Sequence, residues 1–206
     1  MTSDRTRLAG GALVAGGALA FAGYLAAGLV AGYGDGRFTH PHWSLLYSIA
    51  LAGDLLAVLG LPAILAAQRG RSPRLTLVGY VGLFAALVML NIGEGVIEGF
   101  IKPYFATHGG IPDPLPNGFD VFDGVGLLGV VAGLPCLGAA ILRAKVLPRW
   151  VGILMIASAP VSLAGSALPG PLALLGDYCA YVALMAIGWH VTRRPLRGAT
   201  PVPVLA

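Results

Sequence analysis

Six apolar runs, each close to the length that crosses a bilayer, follow one another along this chain with short polar connections between them. A helix needs about 20 mostly apolar residues to span the hydrocarbon. The runs fall at about 8–33, 43–67, 75–100, 121–142, 150–168 and 172–191. The expectation is an all-α integral membrane bundle of six transmembrane helices, forming a single transmembrane domain over 1–206 with a disordered tail at 192–206. Of 206 residues, 57 % are hydrophobic and 11 % charged, which leaves no stretch for a separate soluble domain.

Charge orients the bundle. The N-terminal tail, two turns and the C-terminal tail hold Arg5, Arg7, Arg69, Arg71, Arg74, Arg143, Lys145, Arg149, Arg193, Arg194 and Arg197, leaving two of the 13 basic residues, Arg37 and Lys102, for the opposite side. Cytoplasmic connections carry the excess of Lys and Arg, so both termini are expected in the cytoplasm of a multi-pass cell-membrane protein. The net charge of +4 therefore reads as membrane orientation and not as nucleic-acid binding. Acids show the mirror pattern. Asp54, Glu94, Glu98, Asp120, Asp123 and Asp177 map to the outer half of the spans or to their outer ends.

Local signals fill in the map. The positive start before the first run has the form of a signal peptide, but the run is long for one and reads better as a retained helix. Gly28 and Gly32, and again Gly129 and Gly133, have the spacing that lets a second helix approach closely. Pro62 is expected to kink the second helix. Lys102–Asp120 reads as the longest loop and as a cap, with four prolines. Ser158, Ser162 and Ser166 form a seam suited to helix packing. Gly60-Leu61-Pro62 with Pro73-Arg74 is echoed by Gly133-Leu134-Pro135 with Pro148-Arg149, a weak parallel repeat of the kind some transporters carry. Cys136 and Cys179 lie in apolar spans without CxxC spacing and read as small buried residues.

The stretch Leu90–Phe105 carries the chemistry. Asn91, Glu94 and Glu98 lie at i, i+3 and i+7 and share a helix face. Asp54 follows Trp43 by eleven residues, about 16 Å of helix rise, and so falls near mid-membrane. Ionisable groups at such depth face a bundle interior or a wet cavity and mark function. Asp120 is best read as a helix cap, and Asp123 equally as cap or site residue. An acid that stays protonated is a proton donor, and an ionised neighbour its acceptor. The candidate catalytic residues are Glu94, Glu98, Asp54, Asp123 and Asp177. Asn91, Tyr47, Trp43, Tyr178 and Tyr181 are the candidates for binding a substrate. His40-Pro41-His42 lacks the spacing of a metal motif, no span has a central histidine for haem, and no cofactor or metal is expected.

Two segments carry resemblances. Leu142–Ile153, reading LRAKVLPRWVGI, resembles the cytoplasmic turn of small actinobacterial multispan proteins of the DUF4386-like kind, which implies topology and not activity. Val96-Ile97-Glu98-Gly99 resembles the VIEG segment of the emopamil-binding sterol isomerases, which implies protonation of an alkene. That family places a histidine four residues before the glutamate, and this chain has Glu94 there, a departure from the proton-relay pattern.

Three functions fit these residues. The first is a membrane enzyme that isomerises or cyclises a hydrophobic lipidic or isoprenoid substrate by acid–base chemistry. Glu94 or Glu98 would be the donor, and Asp54, Asp123 or Asp177 the acceptor. A proton-coupled transporter would use the same acids as a relay and calls for a homodimer. An accessory subunit would turn the acids outward toward a partner. The bilayer is the expected partner in every case, and nucleic acid in none.

Overall fold

In the computed structural model, residues 3–68, 71–110, 118–165, 168 and 170–193 are described. Those residues are helical almost throughout and contain no strand. Five helices are long and apolar enough to cross a membrane: Asp4–Ala31, Trp43–Ala67, Pro73–Thr107, Val121–Ala144 and Gly170–Arg193. Arg149–Gly165, 17 residues long, lies between the fourth and the last as a shorter apolar rod. These are the six spans, in chain order, of an all-α, multi-pass membrane bundle.

Proline marks three of the places where the spans depart from the α-helix. It lacks an N–H, and its ring clashes with the carbonyl four residues earlier. The second span breaks at Leu61 and restarts as Pro62–Ala67. Wider π turns precede two other prolines, Ile97–Ile101 before Pro103 and Gly129–Gly133 before Pro135. Widening the turn moves the offended carbonyl aside, so the helix continues instead of ending. The third span accordingly runs to Thr107 and not to Phe100, and Lys102 is a helical residue. A third π segment, Leu87–Glu94, has no proline after it within a turn. Single π turns concentrate at functional sites, and this one lies against the cavity described below.

The spans form a closed ring in sequence order, each packing against the next and the sixth returning to the first. Gly10 meets the backbone of Gly188, which brings the beginning of the first span to the end of the last. Arg71 donates from Nη1 to the Ala144 carbonyl at 2.6 Å, joining the two basic turns at that same end. This basic half of the ring is dry. Leu13, Ile64, Leu83, Ile141, Met155 and Ile187, one from each span, meet there with at most 2 % exposure. Outward faces carry Leu59, Val78, Leu128 and Ile153, all exposed, as a lipid-facing surface requires.

Close approach between helices comes from small residues, though not all the expected ones. A Cβ on Gly53 would collide with the backbone of Ala20, so the first two spans touch main chain to main chain. Gly129 and Gly133 do the same against Gly82 and Ala86. Gly28 and Gly32 do not. Gly28 is covered by the ring of Tyr33, and Gly32 ends the first span with φ +79° in open space. Its spacing reflects a left-handed helix end. The sixth span continues through Thr192 and Arg193, whose guanidinium lies 3.8 Å over the Trp189 ring, while the tail from 194 on lies outside the described residues.

Candidate functional site

Above the dry half the ring opens into a cavity of about 520 Å³, partly open to the outside. Each of the six spans supplies lining: Tyr24, Tyr47, Glu94, Val130, Ser162 and Asp177, in chain order. Leu90, Leu127, Leu163 and Leu174 supply much of the apolar lining beside the polar groups. This is the size and character of a small-molecule site, mostly apolar with a few convergent polar groups.

Glu98 is fixed at one edge. Its Oε2 accepts from Arg37 Nη2 at 3.0 Å, and its Oε1 pairs with Lys102 Nζ one helical turn on. Trp43 donates from Nε1 to the Glu98 carbonyl at 2.8 Å. Arg37 sits on a short 3₁₀ turn, Asp35–Thr39, donates to the Tyr33 carbonyl at 2.7 Å and lies 4.5 Å over the Phe38 ring. The two basic residues on the acidic side therefore both converge on one carboxylate. The third span's continuation beyond Phe100 is what delivers Lys102 to it.

Asp54 is fully buried behind the cavity floor. Tyr181 donates to its Oδ1 at 2.5 Å and Tyr24 to its Oδ2 at 2.8 Å. Asn91 Nδ2 donates in turn to the Tyr181 hydroxyl at 2.6 Å. The four residues come from the first, second, third and sixth spans and tie the ring together at mid-depth. Tyr24 and Asn91 reach the cavity wall, whereas Tyr181 faces a second space of about 30 Å³ that also touches Asn91 and Asp177.

The remaining acids differ in their partners. Asp177 lines the cavity and accepts from Ser162 Oγ at 3.1 Å. Glu94 lines it too and, among the described residues, has no hydrogen bond or ion pair. Asp123 is partly buried on the fourth span, outside the lining but within electrostatic reach of Glu94. Of the expected binding residues, Asn91, Tyr47 and Tyr178 line the cavity. Trp43 lies behind the wall, where it packs on Tyr47 at 4.6 Å and holds Glu98. The centre of the expected cap, 111–117, and the side chain of Asp120 lie outside the described residues, as does Ser166. His40 and His42 lie in the turn before the second span, away from the lining. Among the described residues no three His, Cys, Asp or Glu side chains gather as a metal would need.

Sequence reasoning missed Arg37, Lys102, Tyr24 and Ser162. For the first two the signal was present, since they were the only exceptions to the charge asymmetry. Tyr24 was visible as the one polar side chain deep in a Gly/Ala-rich span. Ser162 was read as helix packing, and nothing in its spacing distinguished it from Ser158, which does bond back to the Leu154 carbonyl.

Compared with protein-family models, curated proteins and solved structures, the chain matches none.

Proposed function

We propose that the chain is a cell-membrane enzyme that moves a proton to or from an amphipathic lipidic or isoprenoid molecule held in the cavity, with Glu94 as the acid–base group. One observation carries this reading. Of the three carboxylates in the cavity wall, Glu98 is held by two cations and Asp177 by Ser162, and only Glu94 is uncommitted among the described residues. A group that must give and take a proton cannot be locked into an ion pair, and a locked one is suited to holding geometry. Glu98 is accordingly a positioning residue in this reading, and Asp177 is the acceptor on the same wall. The leucine lining suits the apolar part of the substrate, and the unused N–H groups of Arg37 suit its polar end. Convergence of Glu94, Glu98 and Asp177 on one cavity argues against an accessory subunit that offers them to a partner.

A transporter is the second reading. The smaller space shares Asn91 and Asp177 with the cavity and extends it toward Leu83, Leu134 and Leu184. The dry half beyond those residues argues against a through path.

The test is a lipid profile of membranes containing wild type, Glu94→Gln or no protein, at matched protein levels. The expected result is a species that depends on wild type and falls by about 10²–10⁴-fold in formation rate with Glu94→Gln, the usual contribution of an acid–base group. Profiles identical across all three overturn the enzyme reading, and proton flux in proteoliposomes then tests the transporter.

A further inference from the structure

Hydrogen-bond arithmetic around Asp54 leaves a place for one proton. Asn91 Nδ2 has only protons to offer, so the Tyr181 hydroxyl accepts from it at 2.6 Å. The single Tyr181 proton is thereby committed to Asp54 Oδ1 at 2.5 Å. Tyr24 stands differently. Its hydroxyl lies 2.8 Å from Asp54 Oδ2 and 3.3 Å from the Asn91 carbonyl oxygen. Both neighbours are acceptors when Asp54 is ionised, and one phenolic proton serves one of them well. The Asn91 carbonyl accepts from the Gly95 N–H and keeps a lone pair for the hydroxyl.

We infer that Asp54 is a proton-holding site whose two states are read out by the Tyr24 hydroxyl. In the ionised state Tyr24 donates to Oδ2. In the protonated state the Oδ2–H donates to Tyr24, and Tyr24 donates onward to the Asn91 carbonyl. Loading is balanced as a relay from the cavity, which Tyr24 lines. The phenolic O–H breaks as its proton passes to Oδ2, and a proton arriving from cavity water forms the new O–H, now directed at Asn91. Unloading reverses both transfers.

The groups facing Asp54 fit a site that holds and releases one charge. The first span presents Tyr24, the third Asn91, and the sixth Tyr181 with Asp177 in electrostatic reach. Among the described residues no cation pairs with Asp54, in contrast to Glu98. The ionised form rests on two hydroxyl donors alone, so a proton can compete for it. The Tyr24 switch also ties the proton to the π segment Leu87–Glu94, because its second acceptor is that segment's own carbonyl. This assignment stands apart from the role of Glu94 and holds whether the cavity serves catalysis or transport.

Infrared titration of the purified protein in nanodiscs tests it. A protonated-carboxyl C=O stretch is expected that fades as pH rises, is absent in Asp54→Asn, and moves to higher frequency in Tyr181→Phe, which removes the donor to Oδ1. Asp54→Asn keeps the shape of the protonated state, so its thermal midpoint should equal or exceed that of wild type at high pH. No band dependent on Asp54 at any pH where the protein stays folded would mean a permanently ionised group and overturns the proposal. A band that is lost in Asp54→Asn but does not titrate means a fixed proton and overturns it equally. Unfolding of Asp54→Asn under conditions where wild type is stable also counts against it, since the protonated arrangement would then not be a native one.

Discussion

The two halves of the ring are built from the same six helices by opposite means. In the basic half, aliphatic side chains and glycines close the centre, and buried polar groups are few and bonded locally, as in the 2.7 Å bond from Thr76 Oγ1 to Gln68 Oε1, whose Nε2 has no partner among the described residues. In the acidic half the centre is left open, and helices are joined by polar side chains that bond from one span to another around it. Lipid offers no hydrophobic drive between helices, so association rests on close packing or on interhelical hydrogen bonds. Packing fixes distance and leaves no void. Hydrogen bonds fix direction and tolerate one. The difference explains how a chain this apolar keeps a cavity from collapsing: Asp54, Glu98 and their partners hold the walls at set separations while the glycine seams below hold the base.

The largest effect should come from the packed half. Gly60→Leu puts a branched side chain where even a Cβ meets the backbone of Leu13 and Ala9. Backbone cannot rotate away, so the cost exceeds the about 1–3 kcal/mol of ordinary overpacking. Folded, monodisperse protein should be lost on size-exclusion chromatography, and recovery at wild-type yield would break the claim that main-chain contact sets this half. A smaller loss is expected from Glu98→Gln in the open half, which leaves Arg37 and Lys102 facing a neutral amide. Their side chains are 24 % and 22 % exposed. That places the loss below the about 3–5 kcal/mol of breaking a fully buried pair and above the about 0–1 kcal/mol of a surface one. Thermal unfolding in detergent reads it, and an unchanged midpoint would remove Glu98 from the scaffold.

How legible each half was in the sequence follows from the same contrast. Hydropathy and the basic turns depend on composition alone, so the six spans and the common end of both termini could be read directly. The Gly129–Gly133 contact could be read as well, since spacing along one helix is a local property. Gly28 and Gly32 had the same spacing and a different fate, because a helix end nearby took one of them into a left-handed turn. Glu98 was legible as a buried carboxylate but not as a clamped one. Its partners arrive from a 3₁₀ turn 61 residues earlier and from the helix's own continuation beyond Phe100. Asn91, Glu94 and Glu98 were expected on one α-helical face, and all three do line the cavity. Glu94 and Glu98 lie on two separate π segments, however, and the cations Arg37 and Lys102 pair with Glu98 alone.

Smaller effects sharpen the comparison within the open half. Tyr181→Phe removes one interhelical hydrogen bond to Asp54 and one acceptor for Asn91. Such bonds in membrane bundles average about 0.6 kcal/mol and reach about 1.7. A drop in thermal midpoint is therefore expected, short of that for Glu98→Gln. Glu94→Gln should be smallest of all, within about 0.5 kcal/mol of wild type, because the side chain has no partner to lose among the described residues. The pair Glu94→Gln and Glu98→Gln is the sharpest comparison available, two glutamates one turn apart with the same substitution. Stability should fall with the second and hold with the first, while product formation should fall with the first at undiminished folding. If Glu94→Gln destabilises as much as Glu98→Gln, Glu94 has a structural partner and its freedom to exchange a proton disappears, and with it the reason to place the chemistry there.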